Sequence, residues 1–244
     1  YDAEGKSYLD FGSGIAVNAL GYDDPGLKAA LHAAAEGLIH TSNLYHTAPG
    51  ERLAAELVAR SFADKAFFCN SGAEANEGAF KFARRWARTV GEAKHEIIAL
   101  RGSFHGRLFG TLAATDRPGY RLPFRPLAPG ISIFERDLKE LDAALNADTV
   151  AALIVEPIQG EGGVRVIDQG FLRELRAVTK ARNIALIFDE IQCGLGRTGT
   201  LFAYEQVGVE PDMVTLAKPL AGGLPMGAVL MTEPIAAAMQ YGDH

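Results

Sequence analysis

Two residues of opposite charge each follow a short apolar run and could do chemistry together. Asp189 follows the run Ile184 to Phe188, and Lys218 stands one alanine after the run 213–216. A lysine among apolar and glycine neighbours loses solvation, which lowers its pKa and frees its amine to attack a carbonyl carbon. A poorly solvated carboxylate needs a partner, such as a cation, a metal or a protonated heterocycle. The alternatives are a lysine that extends along the surface and an aspartate that caps a nearby loop.

Two further loops could hold the phosphate and the flat ring of a ligand. Ser71 and Gly72 stand at the start of a predicted helix, where unpaired N–H groups attract an anion. Ser71 and Glu74 also have the spacing of a capping box, which would close the helix on itself. Phe104 could stack on a ring, and Arg107 in the same glycine-flanked loop could hold a carboxylate. The alternative is a Phe104 side chain packed into the core.

Two other glycine-rich segments need a separate interpretation. Glu156 and Glu161 lie in the stretch 156–163, where they could form a general acid–base pair or a solvated turn. Gly194 to Gly199 matches the dinucleotide pattern G-x-G-x-x-G. That pattern lies five residues beyond the end of a predicted strand, and no strong helix opener follows it. No second strand ends in an acidic residue about twenty residues further on, so the spacing rejects a dinucleotide site.

These residues require a scaffold that brings the ends of several short segments together. Five segments are predicted as buried strands: Ala66–Cys69, Glu96–Leu100, Ala151–Val155, Ile184–Phe188 and Met213–Leu216. Helical patterns cover residues 51–60, 73–90, 136–146 and 170–182. Apolar strands that alternate with helices indicate an α/β fold, with a mainly parallel sheet and helices on both faces. Ligands of such sheets bind beyond the carboxyl ends of the strands.

The composition excludes several classes of function. The chain has 244 residues, of which 48% are apolar and 22% charged, as in globular proteins. Its 24 lysines and arginines against 30 acidic residues give a net charge of −6, which is unsuited to nucleic acid or an anionic membrane surface. No apolar run approaches the length of a membrane span. The two cysteines, Cys69 and Cys193, form neither a disulfide framework nor a zinc motif. We therefore expect a cytoplasmic protein without a bound metal.

The candidate residues together fit one cofactor, pyridoxal phosphate (PLP). A desolvated lysine can carry its aldehyde as an imine, and a buried aspartate can keep its pyridine nitrogen protonated. The start of a helix can hold its phosphate, and an aromatic side chain can stack on its ring.

The sequence also resembles the class III aminotransferases of the ornithine and acetylornithine type. Five motifs carry the resemblance in order and spacing: Asn70–Glu77, Ser103–Arg107, Glu156–Gly163, Asp189–Gln192 and Ala217–Lys218. It extends from Tyr8 to His244, and the segment Thr41–His46, with Asn43 at its centre, looks most like the acetylornithine branch. The resemblance implies the large domain of the fold type I PLP-dependent transferases, and homodimers with the site at the subunit interface.

The resemblance implies a role for each candidate residue. Lys218 and Asp189 would be catalytic. The expected cofactor-binding residues are Ser71, Gly72, Ala73, Phe104, Asp189, Gln192 and Lys218. The expected substrate-binding residues are Arg107, which would bind a carboxylate, Glu156, which would line the pocket, and Glu161, which in this family often screens a substrate-binding arginine.

The implied reaction moves the terminal amino group of N2-acetylornithine to 2-oxoglutarate, giving N-acetylglutamate 5-semialdehyde and glutamate, a step of arginine biosynthesis. Ornithine, succinylornithine and 4-aminobutyrate aminotransferases are alternatives within the family. More distant alternatives are a nicotinamide-dependent oxidoreductase using Gly194–Gly199 and an inert cofactor-binding or dimerisation module. We expect an N-terminal segment at residues 1–45, a PLP-binding domain at 46–244, and a small C-terminal domain outside this chain.

Overall fold

A seven-stranded sheet forms the centre of the computed structural model, which describes residues 1–42 and 44–243. Two residues lie outside the described residues: Asn43, in the segment that looks most like the acetylornithine branch, and His244, where the resemblance ends. The strands of the sheet and of a small separate hairpin (β5 and β6) are β1 (Lys65–Cys69), β2 (Glu96–Leu100), β3 (Ile131–Phe134), β4 (Val150–Val155), β5 (Ile158–Gln159), β6 (Arg165–Val166), β7 (Ala185–Asp189), β8 (Met213–Leu216) and β9 (Gly227–Met231).

The sheet has the order β1-β9-β8-β7-β4-β2-β3 and is mainly parallel, as predicted. Five strands pair with one another in parallel, in the order β3, β2, β4, β7 and β8. Strand β9 is antiparallel to both β8 and β1, so it alone runs against the other six. All five predicted strands are confirmed within one residue at each end, whereas β3, β9 and the hairpin were not predicted.

The helices cover both faces of the sheet. Their bounds are α1 (Ser13–Ala16), α2 (Pro25–Glu36), α3 (Ala48–Ala59), α4 (Gly72–Val90), α5 (Phe109–Ala114), α6 (Pro118–Arg121), α7 (Leu138–Ala144), α8 (Gln169–Ala181), α9 (Tyr204–Val207) and α10 (Glu233–Ala237). Short 3-10 helices cover Leu122–Phe124 and Lys218–Ala221. The four predicted helices correspond to α3, α4, α7 and α8. The other helices were not predicted.

The core consists of two layers because successive side chains of a strand point to opposite faces. In β7, Leu186 and Phe188 belong to one apolar cluster, together with residues of α8. Ile187 belongs to the other cluster, together with residues of α4. A strand that is buried on both faces is apolar throughout, and this explains why β4 and β7 were recognisable in the sequence.

The N-terminal part of the chain lies outside the sheet. No residue of 1–42 or 44–47 is buried. Its contacts with the rest of the chain include a hydrogen bond from Arg197 Nη2 to the carbonyl of Ala16, at 3.2 Å. The division into segments at residue 45 stays a prediction. Within the described residues, no helix is long and apolar enough to cross a membrane.

Candidate active site

A cavity of about 480 Å³ lies at the carboxyl ends of β1, β2, β4, β7 and β8. Parallel strands present these ends at one edge of the sheet, which is why residues far apart in sequence meet there. All the candidate site residues line this one cavity: Ser71, Gly72, Ala73, Phe104, Arg107, Glu156, Glu161, Asp189, Gln192 and Lys218.

Lys218 begins a 3-10 helix directly beyond β8 and Ala217. Its side chain is half-buried, so the alternative of a lysine extended along the surface is wrong. Burial lowers the pKa of its ammonium group, against the opposite influence of the Asp189, Glu161 and Glu156 carboxylates. Its φ of +43° lies in the left-handed region, which costs a residue other than glycine some strain. The fold therefore holds an amine of weakened basicity in a fixed place.

Asp189 ends β7 and is almost fully buried. One oxygen, Oδ2, accepts a hydrogen bond from Asn76 Nδ2 at 2.8 Å and lies 2.8 Å from Nδ1 of the His105 ring. The other, Oδ1, accepts the N–H of Ile191 at 3.1 Å. The alternative of a loop-capping aspartate therefore describes one oxygen, Oδ1, while the other contacts two side chains.

Asn76 and His105 are the site residues that the sequence interpretation missed. They stand 113 and 84 residues from Asp189, and no periodicity or spacing links positions so far apart. His105 lies within a motif that had been singled out, but its position next to an arginine and a phenylalanine gave no indication of which residue its ring contacts.

Ser71 is the N-cap of α4, and its Oγ accepts the N–H of Glu74 at 3.2 Å. The Glu74 carboxylate in turn accepts the N–H of Asn70 at 2.6 Å. This capping arrangement does not close the helix start to an anion. Among the described residues, no hydrogen-bond acceptor reaches the N–H groups of Gly72 and Ala73, and both residues line the cavity. The capping and anion-binding interpretations are therefore compatible.

Gly72 is required by packing as well as by any ligand. A Cβ atom there would lie 2.9 Å from Ile191 Cδ1 and 3.3 Å from the Cβ of Ala217. Helix α4 thus starts directly against the residues that follow β7 and β8. The sequence alone indicated this glycine only as part of a helix start that could bind an anion.

Phe104 is half-buried and lines the cavity, so the alternative of a core phenylalanine is wrong. Its backbone N–H donates to Glu156 Oε1 at 2.8 Å. Burial raises the pKa of Glu156 to about 7, and the negative charge of Asp189 adds to this effect. The alternative of a solvated turn is therefore wrong for Glu156, which is almost fully buried. Glu161, in contrast, is exposed.

Arg107 stacks on an aromatic residue at the mouth of the cavity. Its guanidinium lies 4.4 Å from the ring centre of Tyr120 and 6.0 Å from that of Phe104. The two rings meet edge to face, with their centres 6.3 Å apart. An exposed cation held in this way can receive a carboxylate at the entrance to the site.

Gln192 lies directly against Gly160, where a Cβ atom would overlap its Oε1. The absence of a side chain at Gly160 therefore makes room for the Gln192 amide at the cavity wall.

The G-x-G-x-x-G segment, Gly194 to Gly199, lies in a run of turns between β7 and α9. A dinucleotide loop would open a helix at this point, and the structure has none directly after it, in agreement with the rejection by spacing. The side chain of Glu190 fixes the far end of this run by accepting the N–H groups of Ala203 and Tyr204 at 2.6 and 2.7 Å. Burial raises the pKa of Glu190 to about 7.

A wider depression of about 1260 Å³ lies elsewhere, between α8 and the residues around α9. It contains none of the candidate residues. Within the described ranges, no cluster of three or more histidine, cysteine or acidic side chains is arranged to hold a metal ion.

Comparisons with known proteins identify similar sequences and folds. The family model "Aminotransferase class-III" matches residues 1–244. The acetylornithine aminotransferase of Methanocaldococcus jannaschii is 52% identical over 246 residues, which cover all of this chain and 62% of the relative. That of Xanthomonas axonopodis pv. citri is 50% identical over 248 residues, covering all of this chain and 61% of the relative. The chain thus spans about three fifths of the length of these relatives.

Two solved structures have the same fold. The ornithine aminotransferase from Toxoplasma gondii, in which PLP partially occupies the active site, superposes with a TM-score of 0.94 at 33% identity, covering all of this chain and 59% of that one. The N-acetylornithine aminotransferase from Stenotrophomonas maltophilia gives a TM-score of 0.84 at 43% identity, with 98% of this chain and 61% of that one covered.

Proposed function

The chain belongs to the class-III aminotransferases, and from this premise we propose that it carries the PLP site of an enzyme that transfers the terminal amino group of N2-acetylornithine to 2-oxoglutarate. The products would be N-acetylglutamate 5-semialdehyde and glutamate, as in arginine biosynthesis. The proposal includes a homodimer in the cytoplasm.

The observation that carries the proposal is the pairing of Lys218 with Asp189 in one cavity. Asp189 ends β7, and Lys218 lies two residues beyond the end of the neighbouring strand β8. One is an amine of lowered basicity, and the other is a buried carboxylate that accepts an amide and a backbone N–H and contacts an imidazole ring. PLP requires a lysine that reacts with its aldehyde and a carboxylate that keeps its ring nitrogen protonated.

The remaining residues of the cavity fit the same cofactor. The free N–H groups of Gly72 and Ala73, with Ser71, would bind its phosphate. Phe104 would stack on its ring, and Gln192 would contact the ring oxygen. When bound, PLP supplies an aldehyde that takes up the amino group and a ring that stabilises negative charge on the adjacent carbon.

The chain's own residues would supply binding and proton transfer. Lys218 Nζ, whose pKa burial lowers, would accept the proton from the substrate carbon that bears the amino group and deliver it to the aldehyde carbon of the cofactor. Asp189 would keep the proton on the ring nitrogen. Arg107, supported on Tyr120, would bind the carboxylate of each substrate in turn, and Glu156 and Glu161 would line the substrate side of the cavity.

The choice of acetylornithine rests on the relatives at about 50% identity that bear that name along the whole of this chain. The ornithine aminotransferase from Toxoplasma gondii superposes well but shares 33% identity. Ornithine, succinylornithine and 4-aminobutyrate remain the donors to test against it.

The test uses the protein at its natural length, loaded with PLP, reduced with borohydride and digested for mass spectrometry. We expect a phosphopyridoxyl group on Lys218 that disappears in Lys218→Ala and persists in Lys65→Ala, which alters an exposed lysine. Amino transfer should be fastest from acetylornithine among the four donors. A label on other lysines would overturn the site, and binding of NADH that survives Lys218→Ala would favour the oxidoreductase. A specific label without transfer from any of the four donors would favour the inert module.

A further inference from the structure

Two exposed side chains of opposite charge line the cavity, and they belong to different segments of the chain. Arg107 rests on the ring of Tyr120 in α6, with 4.4 Å between its guanidinium and the ring centre. Glu161 lies in the turn that joins the two strands of the hairpin β5–β6. The separation of the two charges therefore depends on what connects α6 with this turn.

Arg117 makes that connection. It is the N-cap residue of α6, and its carbonyl accepts the N–H of Tyr120 at 2.9 Å. Its side chain donates from Nη2 to the carbonyl of Glu161, and from Nη1 to the carbonyl of Asp116 at 3.3 Å. One residue thus contacts both the helix that supports Arg107 and the turn that carries Glu161.

We propose that Arg117 is a positioning residue for the substrates: its guanidinium holds the β5–β6 turn next to α6 and so fixes the Glu161 carboxylate relative to the Arg107 guanidinium. The inference rests on the proposed function, in which Arg107 binds the carboxylate of each substrate. A cation and an anion at a fixed separation favour molecules of a given length and charge. Arg117 therefore affects the affinity for substrates and leaves the chemical step unchanged.

The turn has a strained conformation that needs support from its surroundings. The carbonyl of Gly160 accepts the N–H groups of Gly163 and Val164 at 3.0 and 3.1 Å. Val164 has a φ of +52°, in the left-handed region, which is unfavourable for a β-branched residue. Such a conformation persists only where neighbouring groups hold it. A Cβ atom at Gly162 would lie 2.7 Å from the carbonyl oxygen of Gly102, so the turn packs directly on the residues after β2.

The hairpin contributes few bonds of its own to this support. Its strands pair through two residues each, and both residues of β6 are exposed. A short two-stranded hairpin is at best marginally stable by itself. Gln159 Nε2 donates to the carbonyl of Arg101 at 3.0 Å and holds the base of the hairpin. Among the described residues, Arg117 is the one side chain that donates a hydrogen bond to residues 160–164.

The segment from which Arg117 extends is itself fixed to the end of β2. Asp116 Oδ2 accepts the N–H of Gly102 at 2.8 Å, and Oδ1 accepts Nη1 of Arg101 at 3.2 Å. The N–H of Asp116 donates to the carbonyl of Ser103 at 2.9 Å. From this base the guanidinium presents two nitrogens in a fixed geometry to two carbonyls, which the single nitrogen of a lysine cannot reproduce.

Hydrogen–deuterium exchange tests the contact without cofactor or substrate, on the protein at its natural length. In Arg117→Ala we expect exchange at least about threefold faster in peptides covering residues 158–166, because the turn protects the N–H groups of Gly163 and Val164. Peptides from α8 should exchange as in the parent, which excludes a general loss of stability. Arg125→Ala, the control, removes an exposed arginine shortly after α6 and should leave 158–166 unchanged. Unchanged exchange in Arg117→Ala would overturn the proposal.

Steady-state kinetics of the PLP-loaded protein tests the effect on substrates. We expect Arg117→Ala to raise KM for acetylornithine and for 2-oxoglutarate about fivefold or more, with kcat within about twofold and labelling of Lys218 retained. Arg117→Lys keeps the charge but offers one donor nitrogen, so its KM values should rise at least about threefold. A lysine variant equal to the parent would show that charge alone acts, and an unchanged KM in Arg117→Ala would exclude a role in binding. Either result would overturn the proposal. Failure of Lys218 labelling in the parent would remove the proposed function and leave the exchange result standing.

Discussion

At the scale of single residues, Glu156 and Glu190 show how the partners of a buried carboxyl decide what a substitution does. Both are nearly inaccessible, and burial raises the pKa of each to about 7. Glu190 uses both oxygens as acceptors for backbone N–H groups. Glu156 accepts the N–H of Phe104 with one oxygen and faces the cavity. Glutamine can replace Glu156, because its NH₂ group can take the place of the oxygen that does not accept the Phe104 N–H. At Glu190 the NH₂ group of a glutamine would face a backbone N–H donor.

The substitution Glu156→Gln should change how stability depends on pH. At pH values between 4.5, the ordinary pKa of a glutamate, and about 7, its pKa in the folded chain, Glu156 binds its proton more tightly in the folded chain than in the unfolded one. The parent's unfolding free energy should therefore fall, relative to that of Glu156→Gln, by about 2 to 3 kcal/mol from pH 5 to pH 8.

Urea denaturation of the parent and of Glu156→Gln at both pH values measures this difference. Glu161→Gln removes a carboxyl from the exposed side of the same cavity and serves as the control. A difference in stability that does not vary with pH would refute a raised pKa at Glu156.

At the scale of elements, burial explains why some of the strands could be recognised from the sequence. Strands β4 and β7 lie between helices, and their sequences are apolar throughout β4 and up to the final Asp189 of β7, which reveals them. Helix α2 has Asp24 as N-cap and Pro25 in its first turn, yet none of its residues is buried. Leu27, Ala30, Leu31 and Ala34 have the spacing of an apolar stripe, but neither this pattern nor the capping signal was used to predict the helix.

Pairing and direction of strands were less accessible to sequence reasoning. Strand β9 is fully buried, but nothing in its five residues shows that it runs against its neighbours. The convergence of the motifs at one edge followed from parallel topology. The contacts of Asn76 and His105 with Asp189 did not, because they depend on side chains of three different elements.

The fit between helix α4 and the loop after β7 can be tested with Gly72→Ala. The added Cβ would lie 2.9 Å from Ile191 Cδ1, so we expect a loss of about 1 to 3 kcal/mol of unfolding free energy. Ile191→Val removes that Cδ1 atom, and the loss caused by Gly72→Ala should be smaller by at least about 0.5 kcal/mol in the valine background.

Gly78→Ala is the matched control because it lies in the same helix with room for a methyl group, the nearest atom being Phe67 Cε1 at 3.5 Å. It should stabilise the chain by about 0.5 to 1 kcal/mol. Equal losses for Gly72→Ala in the isoleucine and valine backgrounds would show that Ile191 Cδ1 is not the obstacle.

At the scale of the whole molecule, large apolar side chains are concentrated on the exposed N-terminal part. Phe11 is 94% exposed, and Leu9, Leu38 and Ile39 are exposed to more than 80%. Such a concentration is typical of a surface that another protein covers. It is the structural support for the proposed homodimer.

We expect Phe11→Ser and Ile39→Ser each to raise the dissociation constant of the dimer at least about tenfold. Each substitution occurs twice in a two-fold interface and removes apolar area that would be buried there. Sedimentation equilibrium of the protein at its natural length measures this constant. Leu138→Ser, the control, alters an exposed apolar residue at the start of α7 and should leave the dissociation constant of the dimer unchanged. A monomeric parent at micromolar concentration would contradict the dimer.

The position of β1 at the edge of the sheet affects the order in which the site can be assembled. Its pairing with β9 joins Cys69 to Gly227, 158 residues apart, whereas β8 and β9 join Leu216 to Ala228, 12 residues apart. Starting from the unfolded chain, the longer loop costs about 2 kcal/mol more entropy to close. The lysine between β8 and β9 is thus placed by a nearly local event, and the helix start that follows β1 is placed by the most distant pairing in the sheet. Chain entropy therefore opposes the anion-binding half of the cavity more strongly than the half that contains the amine.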